Sequence, residues 1–92
     1  MEQTLCIKDS LLLDENLKAY DVFIFMQLVR LCNKEDSILT ISAVDLMKET
    51  RSTNKGILLN SLKKLAELNY IDRLDNIDKK ATYKINKEYY FK

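Results

Sequence analysis

Hydrophobic residues recur at helical spacing in two stretches of this chain and alternate with polar residues in others. The first stretch repeats at 3.6 residues per turn and places one apolar face on a helix. That face consists of Leu17, Tyr20, Ile24, Leu28 and Leu31. Asp14 or Asn16 can cap it. The pattern therefore predicts a first helix at about 16–32.

The first helix is apolar on nearly every side. Residues off its main face include Val22, Phe23, Phe25, Met26 and Val29. A helix that is hydrophobic all round must be buried on more than one side. Two interpretations follow: it is the central helix of a small domain, or it forms a homodimer interface.

The second helical stretch is interrupted by a short polar segment. Ser42 is a suitable N-cap, and residues 49–54 break the hydrophobic pattern with turn-forming side chains. Beyond the break, Leu58, Leu62 and Leu65 return at i, i+4 and i+7. Two helices joined by a tight turn are therefore predicted within about 42–68.

The face opposite these leucines is polar. The same helical phase turns outward Lys55, Gly56, Leu59, Asn60 and Lys63, and it places Ile57, Ser61 and Leu68 along the flank. Glycine destabilises a helix by about 1 kcal/mol relative to alanine, so Gly56 suggests close approach of another backbone. Asn69 follows the helix, where a left-handed residue is favoured.

Strand patterns flank the helical pair. Residues 38–41 form a short β-rich run, and residues 70–74 and 81–85 alternate apolar with polar side chains around a turn at 75–80. This arrangement predicts a C-terminal β-hairpin at about 70–86. Residues 3–13 favour a short strand or an extended arm, and the aromatic tail 87–91 is expected to pack on the body or on a partner subunit.

Length and composition are those of one soluble domain. The chain has 92 residues, 47% of them hydrophobic, which is sufficient for a core without disulfides. It contains no run of about 18 apolar residues and no signal-peptide pattern at the N-terminus. We therefore expect one domain over 1–92, a cytoplasmic location and no contact with a membrane.

Charge is divided unevenly between the two halves. Residues 1–50 contain 5 Lys and Arg against 9 Asp and Glu, and residues 51–92 contain 10 against 5, within a total of +1. Such asymmetry favours a basic face made by the second half, although chance clustering on a solvated surface would give the same counts. The acidic, apolar first half offers a surface for a protein partner.

Enzymatic chemistry is not indicated. The chain has no histidine, one glycine and two cysteines, Cys6 and Cys32, far apart. It therefore lacks a metal-ligand cluster, a phosphate-binding loop and a Cys-His nucleophile. Both cysteines are expected to be buried, reduced thiols. No catalytic residue, metal or cofactor is predicted.

The pattern Ser42-x-x-Asp45-Leu46, a short turn and then LKKLAELNYI resembles winged helix-turn-helix DNA-binding domains, including MarR-like regulators and small phage and plasmid proteins. Their closing motif commonly reads LxxLxxxGYI, and Asn69 stands in place of the glycine. The resemblance implies an α+β fold: three helices, a small antiparallel sheet and a C-terminal β-hairpin wing, in a single domain.

The resemblance also implies how double-stranded DNA is bound. The helix at about 54–68 would enter the major groove, where Asn60 could read adenine, Arg51 a guanine or a phosphate, and Leu59 a thymine methyl group. The sequence-predicted interface comprises Arg51, Ser52, Thr53, Asn54, Lys55, Asn60, Lys63, Arg73, Lys79 and Lys80. Ser52, Thr53, Lys55 and Lys63 would position the backbone, and the last three cations would form a basic wing.

The expected function is sequence-specific binding of double-stranded DNA by a small plasmid- or phage-type regulator of transcription, as a homodimer. Three alternatives remain open at this stage. The first is an accessory DNA-binding role in plasmid partition, replication or conjugation. The second is a winged helix used as a protein-interaction module, and the third leaves the protein as a monomer with a central first helix.

Overall fold

Three helices and a three-stranded antiparallel sheet make up the body of the structure. The computed structural model describes residues 6–7, 11, 13–77 and 80–91. Its elements are β1 (Cys6–Ile7), α1 (Ala19–Leu31), β2 (Ile38–Ser42), α2 (Ala43–Thr50), α3 (Lys55–Glu67), β3 (Ile71–Ile77), β4 (Lys80–Ile85), a 3-10 turn (Lys87–Tyr89) and β5 (Tyr90–Phe91). The predicted α+β class, with three helices in this part of the chain, is confirmed.

Helix α1 begins later than the predicted residue 16. Lys18 is its N-cap residue, and the Asp21 carboxylate accepts a hydrogen bond from the Lys18 N–H at 2.9 Å. Asp14 and Asn16 do not cap the helix. The Asp14 carboxylate instead accepts from the Asn16 N–H and from the Tyr70 hydroxyl, which joins the segment before α1 to the end of α3.

The buried face of α1 is rotated from the predicted one. Its buried residues are Asp21, Ile24, Phe25, Leu28 and Val29. Leu17, Tyr20 and Leu31 lie at the edge of the core and are half-buried. Because the helix is apolar nearly all round, the hydrophobic period contained little information about its phase. Phe23, on the outer side, is 40% exposed.

The α2–α3 pair matches the predicted helical pair closely. The Ser42 hydroxyl caps α2 by accepting from the Asp45 N–H at 3.1 Å. Asn54 caps α3 by accepting from the Ile57 N–H, also at 3.1 Å. Leu58, Leu62 and Leu65 are buried as predicted. Of the residues predicted along the flank of this stripe, Ser61 is buried, Leu68 is half-buried and Ile57 is exposed.

Both helices of this pair end in a left-handed residue. Arg51 after α2 has φ 54° and Asn69 after α3 has φ 66°. After α3, the Tyr70 N–H donates to the Leu65 carbonyl at 2.9 Å and the Asn69 N–H to the Ala66 carbonyl at 3.1 Å, which is the Schellman arrangement. The expectation of a left-handed Asn69 is confirmed.

The sheet has the strand order β2-β4-β3, with both neighbouring pairs antiparallel. Strand β3 extends to Ile77 and β4 begins at Lys80, so the predicted turn at 75–80 was too long. The register between β3 and β4 shifts between Arg73 and Asn76. Two residues of β3 there oppose one of β4, which is a β-bulge.

The chain ends complete the body. Strand β5 pairs antiparallel with β1, and the Tyr89 ring lies 4.5 Å from that of Tyr70, edge to face. The tail therefore packs on the body, as predicted. Cys32 is buried and not in a disulfide, as expected. In the described part of the chain, no helix has both the length and the apolar character required to cross a membrane.

Candidate nucleic-acid interface

The outer face of α3 carries three of the ten residues predicted to contact DNA: Lys55, Asn60 and Lys63. Burial of Leu58, Leu62 and Leu65 fixes the rotation of the helix, so the positions on its opposite face point away from the core. Lys55, Leu59, Asn60 and Lys63 are all exposed. The phase predicted for this face is thus observed.

Gly56 lies in the first turn of this face. A Cβ at Gly56 would come within 3.3 Å of the Asn54 Oδ1 atom, which accepts the capping bond from Ile57. Close approach to another backbone was predicted, but the neighbour in the described structure is this capping side chain.

The residues of the turn before α3 differ in exposure and in hydrogen bonding. Arg51 and Thr53 are exposed. The Ser52 hydroxyl is half-buried and lies 2.6 Å from the Tyr20 hydroxyl and 2.7 Å from the Thr50 hydroxyl. Because Ser52 is engaged in linking the turn to α1, its proposed contact with a phosphate would require an additional hydrogen bond. Asn54 uses its side-chain carbonyl in the cap and retains its NH₂ donors.

The strands contribute cations at two places. Arg73 is exposed on β3, opposite Tyr83 of β4. Lys80 is exposed and begins β4, paired with Ser42 on one side and Ile77 on the other. It therefore belongs to the central strand and does not lie in a turn as predicted. Lys79 lies outside the described residues.

A groove brings part of the predicted interface together. It has a volume of about 520 Å³ and lies between α3 and the β3–β4 strands. Its lining residues are Leu59, Asn60, Leu62, Lys63, Ala66, Glu67, Arg73 and Tyr83. Asn60, Lys63 and Arg73, far apart in sequence, thus share one surface. Arg51 and Lys80 do not line it.

A buried polar cluster on the opposite side of α3 was missed by sequence reasoning. Asp21 of α1 is only 4% exposed. Its carboxylate accepts from the Ser61 hydroxyl, from the Lys18 N–H at 2.9 Å and from the Lys64 ammonium at 2.9 Å. One signal was available: Asp21 is the only charged residue between Lys18 and Arg30, and an ionised side chain in so apolar a helix requires partners.

The environment of Asp21 lowers its pKa. Burial acts in the opposite direction and raises the pKa by disfavouring the charged form. The hydrogen bonds from Ser61, from the Lys18 backbone and from Lys64, together with the charge of Lys64, outweigh that effect. The carboxylate is therefore ionised at neutral pH and holds α3 against the start of α1.

Comparison of the chain with protein-family models, with curated proteins and with solved structures found no match. Among the described residues, no group of three or more His, Cys, Asp or Glu side chains is arranged to hold a metal ion. The assignment of this interface therefore depends on the geometry and charge of the chain itself.

Proposed function

We propose that this protein binds double-stranded DNA through the exposed face of α3, with the β3–β4 strands acting as a wing. The observation that carries the proposal is the shared groove: it places Asn60 and Lys63 of α3 beside Arg73 of β3. An amide that can read a base edge and two cations that can contact phosphates then face the same side.

The chain order of the elements supports a winged helix. Strand β2 leads directly into α2, the two short helices follow, and β3 and β4 close a three-stranded sheet in the order β2-β4-β3. The N-terminal half of α3 is exposed at Lys55 and Asn60. A recognition helix enters the major groove by this end.

Salt dependence of binding tests the proposal. Each neutralised phosphate contributes about 0.9 to the slope of log K against log salt. If the exposed cations Arg51, Lys55, Lys63, Arg73 and Lys80 each contact one phosphate, the slope reaches about −4.5. Fluorescence anisotropy with a labelled 24-base-pair duplex between 50 and 200 mM KCl measures it. Absence of binding even at 50 mM KCl would refute the proposal.

A pair of substitutions separates this face from the rest of the surface. The double variant Asn60→Ala, Lys63→Ala should bind duplex DNA at least tenfold more weakly while its melting temperature changes little. Lys34→Gln is the matched control, since Lys34 is exposed in the loop before β2, at the opposite end of the sheet from Lys80. Equal losses of DNA affinity in the double variant and in Lys34→Gln would indicate a non-specific effect of charge.

A second function, docking of a protein on the same two helices, is favoured by a different observation. Val44, Ile57 and Leu59 are large apolar side chains that are 60%, 53% and 43% exposed. Leu59 lines the groove and Ile57 lies on the Asp21 side of α3, and large apolar groups exposed to solvent occur at protein-binding sites. Binding that persists at high salt and requires these residues would support docking of a protein in place of DNA.

We further propose that the protein acts as a homodimer through the outer side of α1. Phe23 is exposed there, and Val22 and Met26 beside it are half-buried, so the chain itself does not cover this side completely. Two-fold symmetry would present two copies of α3 to successive half-sites on DNA. The process served is most simply regulation of transcription, with partition, replication and conjugation as alternatives.

A further inference from the structure

A second cavity adjoins the groove between α3 and the sheet. It measures about 150 Å³ and extends between α2, α3 and the strands. Four residues line both spaces: Leu59, Leu62, Arg73 and Tyr83. The remaining lining residues of this cleft are Ile41, Ala43, Leu46, Leu58 and Ala81, all apolar. The two spaces therefore adjoin at these residues, and together we call them the slot, which has an apolar end and a polar junction.

Two polar groups at the junction have no partner among the described residues. Arg73 forms no ion pair or hydrogen bond there, although it lies close enough to Tyr83 to influence that phenol electrostatically. The Tyr83 hydroxyl also forms no hydrogen bond. Since every buried polar side-chain atom in this part of the chain has a partner, that hydroxyl must reach solvent.

The Tyr83 hydroxyl is in the protonated state that a hydrogen-bond donor requires. Burial raises the pKa of the phenol, and the nearby Arg73 lowers it by a smaller amount. The hydroxyl therefore remains protonated at neutral pH. A guanidinium and an O–H donor at the mouth of an apolar cleft are the pairing that a carboxylate accepts.

Charge around the slot favours an anion. Lys63 adds a second cation at the rim, and its ion pair with Glu67 is long, at 4.0 Å, and exposed. Arg73 is thus a cation at the rim without a partner among the residues that the structure describes. A mostly apolar pocket with a few convergent polar groups is the usual form of a small-molecule site, and an apolar cavity of about 150 Å³ accommodates a six-carbon body such as benzene.

We propose that this slot binds a short apolar carboxylic acid, with its carboxylate on Arg73 and the Tyr83 hydroxyl and a body of about six carbons in the cleft lined by Leu46 and Leu58. The site requires neither DNA nor a second subunit. Its test therefore contains no DNA, and its result is independent of the proposed function.

In the chain-length test, the whole chain is titrated with sodium butanoate or sodium hexanoate, and binding is monitored by two-dimensional ¹H–¹⁵N NMR. Each methylene buried strengthens binding about fourfold, so hexanoate should bind about 15-fold more tightly than butanoate. Amide shifts should concentrate at residues 58–62, 73 and 81–83. Absence of saturable shifts with hexanoate at 20 mM would overturn the proposal.

The head-group test uses 1-hexanol, which has the same body without the charge. Hexanol should bind at least tenfold more weakly than hexanoate. Arg73→Gln should abolish that difference, while Lys84→Gln should preserve it. Lys84 is an exposed cation on the same β4 strand but does not line either space. Equal affinity of the wild-type protein for hexanol and hexanoate, or unchanged hexanoate affinity in Arg73→Gln, would show that no carboxylate site exists.

Discussion

Replacement of Asp21 should reveal how strongly the buried cluster fastens α3 to α1. Asp21→Ala removes the acceptor for the Ser61 hydroxyl, the Lys18 N–H and the Lys64 ammonium. Ser61 is buried and would be left without this acceptor, at a cost of about 1–3 kcal/mol. Loss of the contact to the helix N-terminus adds about 0.5–2 kcal/mol.

The ion pair between Asp21 and Lys64 contributes less to the free energy of unfolding than its short distance suggests. The Lys64 side chain is 35% exposed, so its ammonium can regain water when Asp21 is removed, and the full cost of an orphaned buried charge does not apply. We therefore expect Asp21→Ala to lower the free energy of unfolding by about 2–4 kcal/mol. A domain of this size has about 5–14 kcal/mol in total, so the variant should still fold.

Urea denaturation followed by circular dichroism measures this loss. Asp72→Asn is the control: Asp72 is exposed on β3, and its replacement should change stability by less than about 0.5 kcal/mol. A loss below 1 kcal/mol for Asp21→Ala would refute the reasoning. A double-mutant cycle with Ser61→Ala should then show coupling between the two side chains.

The pH dependence provides a second check on the same residue. The pKa of the Asp21 carboxyl group is lowered in the folded protein. The contribution of the ionised carboxylate to the free energy of unfolding is therefore fully present above the pKa of the unfolded state, about 3.9, and is lost as pH falls through the pKa of the folded state. The stability difference between wild-type protein and Asp21→Asn should therefore decrease below pH 4. A difference that stays constant down to pH 2.5 would contradict an ionised carboxylate.

Three further predictions concern other parts of the chain. Arg51→Gly should stabilise the fold by about 0.5–1 kcal/mol in urea melts, because glycine adopts the left-handed conformation without steric cost. Burial and the Asp14 contact raise the Tyr70 pKa to about 12, so the wild-type protein should lose stability between pH 10 and 12. The Tyr70→Phe variant should lose less stability over this range, and equal losses in the two proteins would contradict the prediction. Phe23→Glu should convert a dimer to a monomer in light scattering, and a wild-type monomer would exclude the α1 interface.

Sequence reasoning succeeded where the hydrophobic pattern had a clear polar side. Along α3, Lys55 precedes the buried leucines Leu58, Leu62 and Leu65, and Asn60 and Lys63 lie between them. Only one rotation of the helix therefore buries these leucines and exposes the polar residues. The Ser42 cap and the left-handed Asn69 were also predictable, because each satisfies helix-end groups by a local rule.

Sequence reasoning failed where contacts between residues far apart in the chain determine the structure. In α1 nearly every position is apolar, so the phase is set by the pairing of Asp21 with Ser61 and Lys64, 40 and 43 residues away. The shift in register between Arg73 and Asn76 likewise depends on β4. Turn propensity at 75–80 did not reveal that the ladder continues to Ile77.

On α3, the residues that stabilise the fold differ from those proposed to contact DNA. Leu58, Leu62 and Leu65 face the core, and Ser61 and Lys64 face Asp21. Asn60 and Lys63 project between these contacts without contributing a buried group. A helix anchored on two sides fixes the positions on the surface from which the remaining side chains project. If α3 binds DNA as proposed, changes at Asn60 and Lys63 should therefore weaken binding without altering the fold, whereas changes at Asp21 should act on binding only through the position of the whole helix.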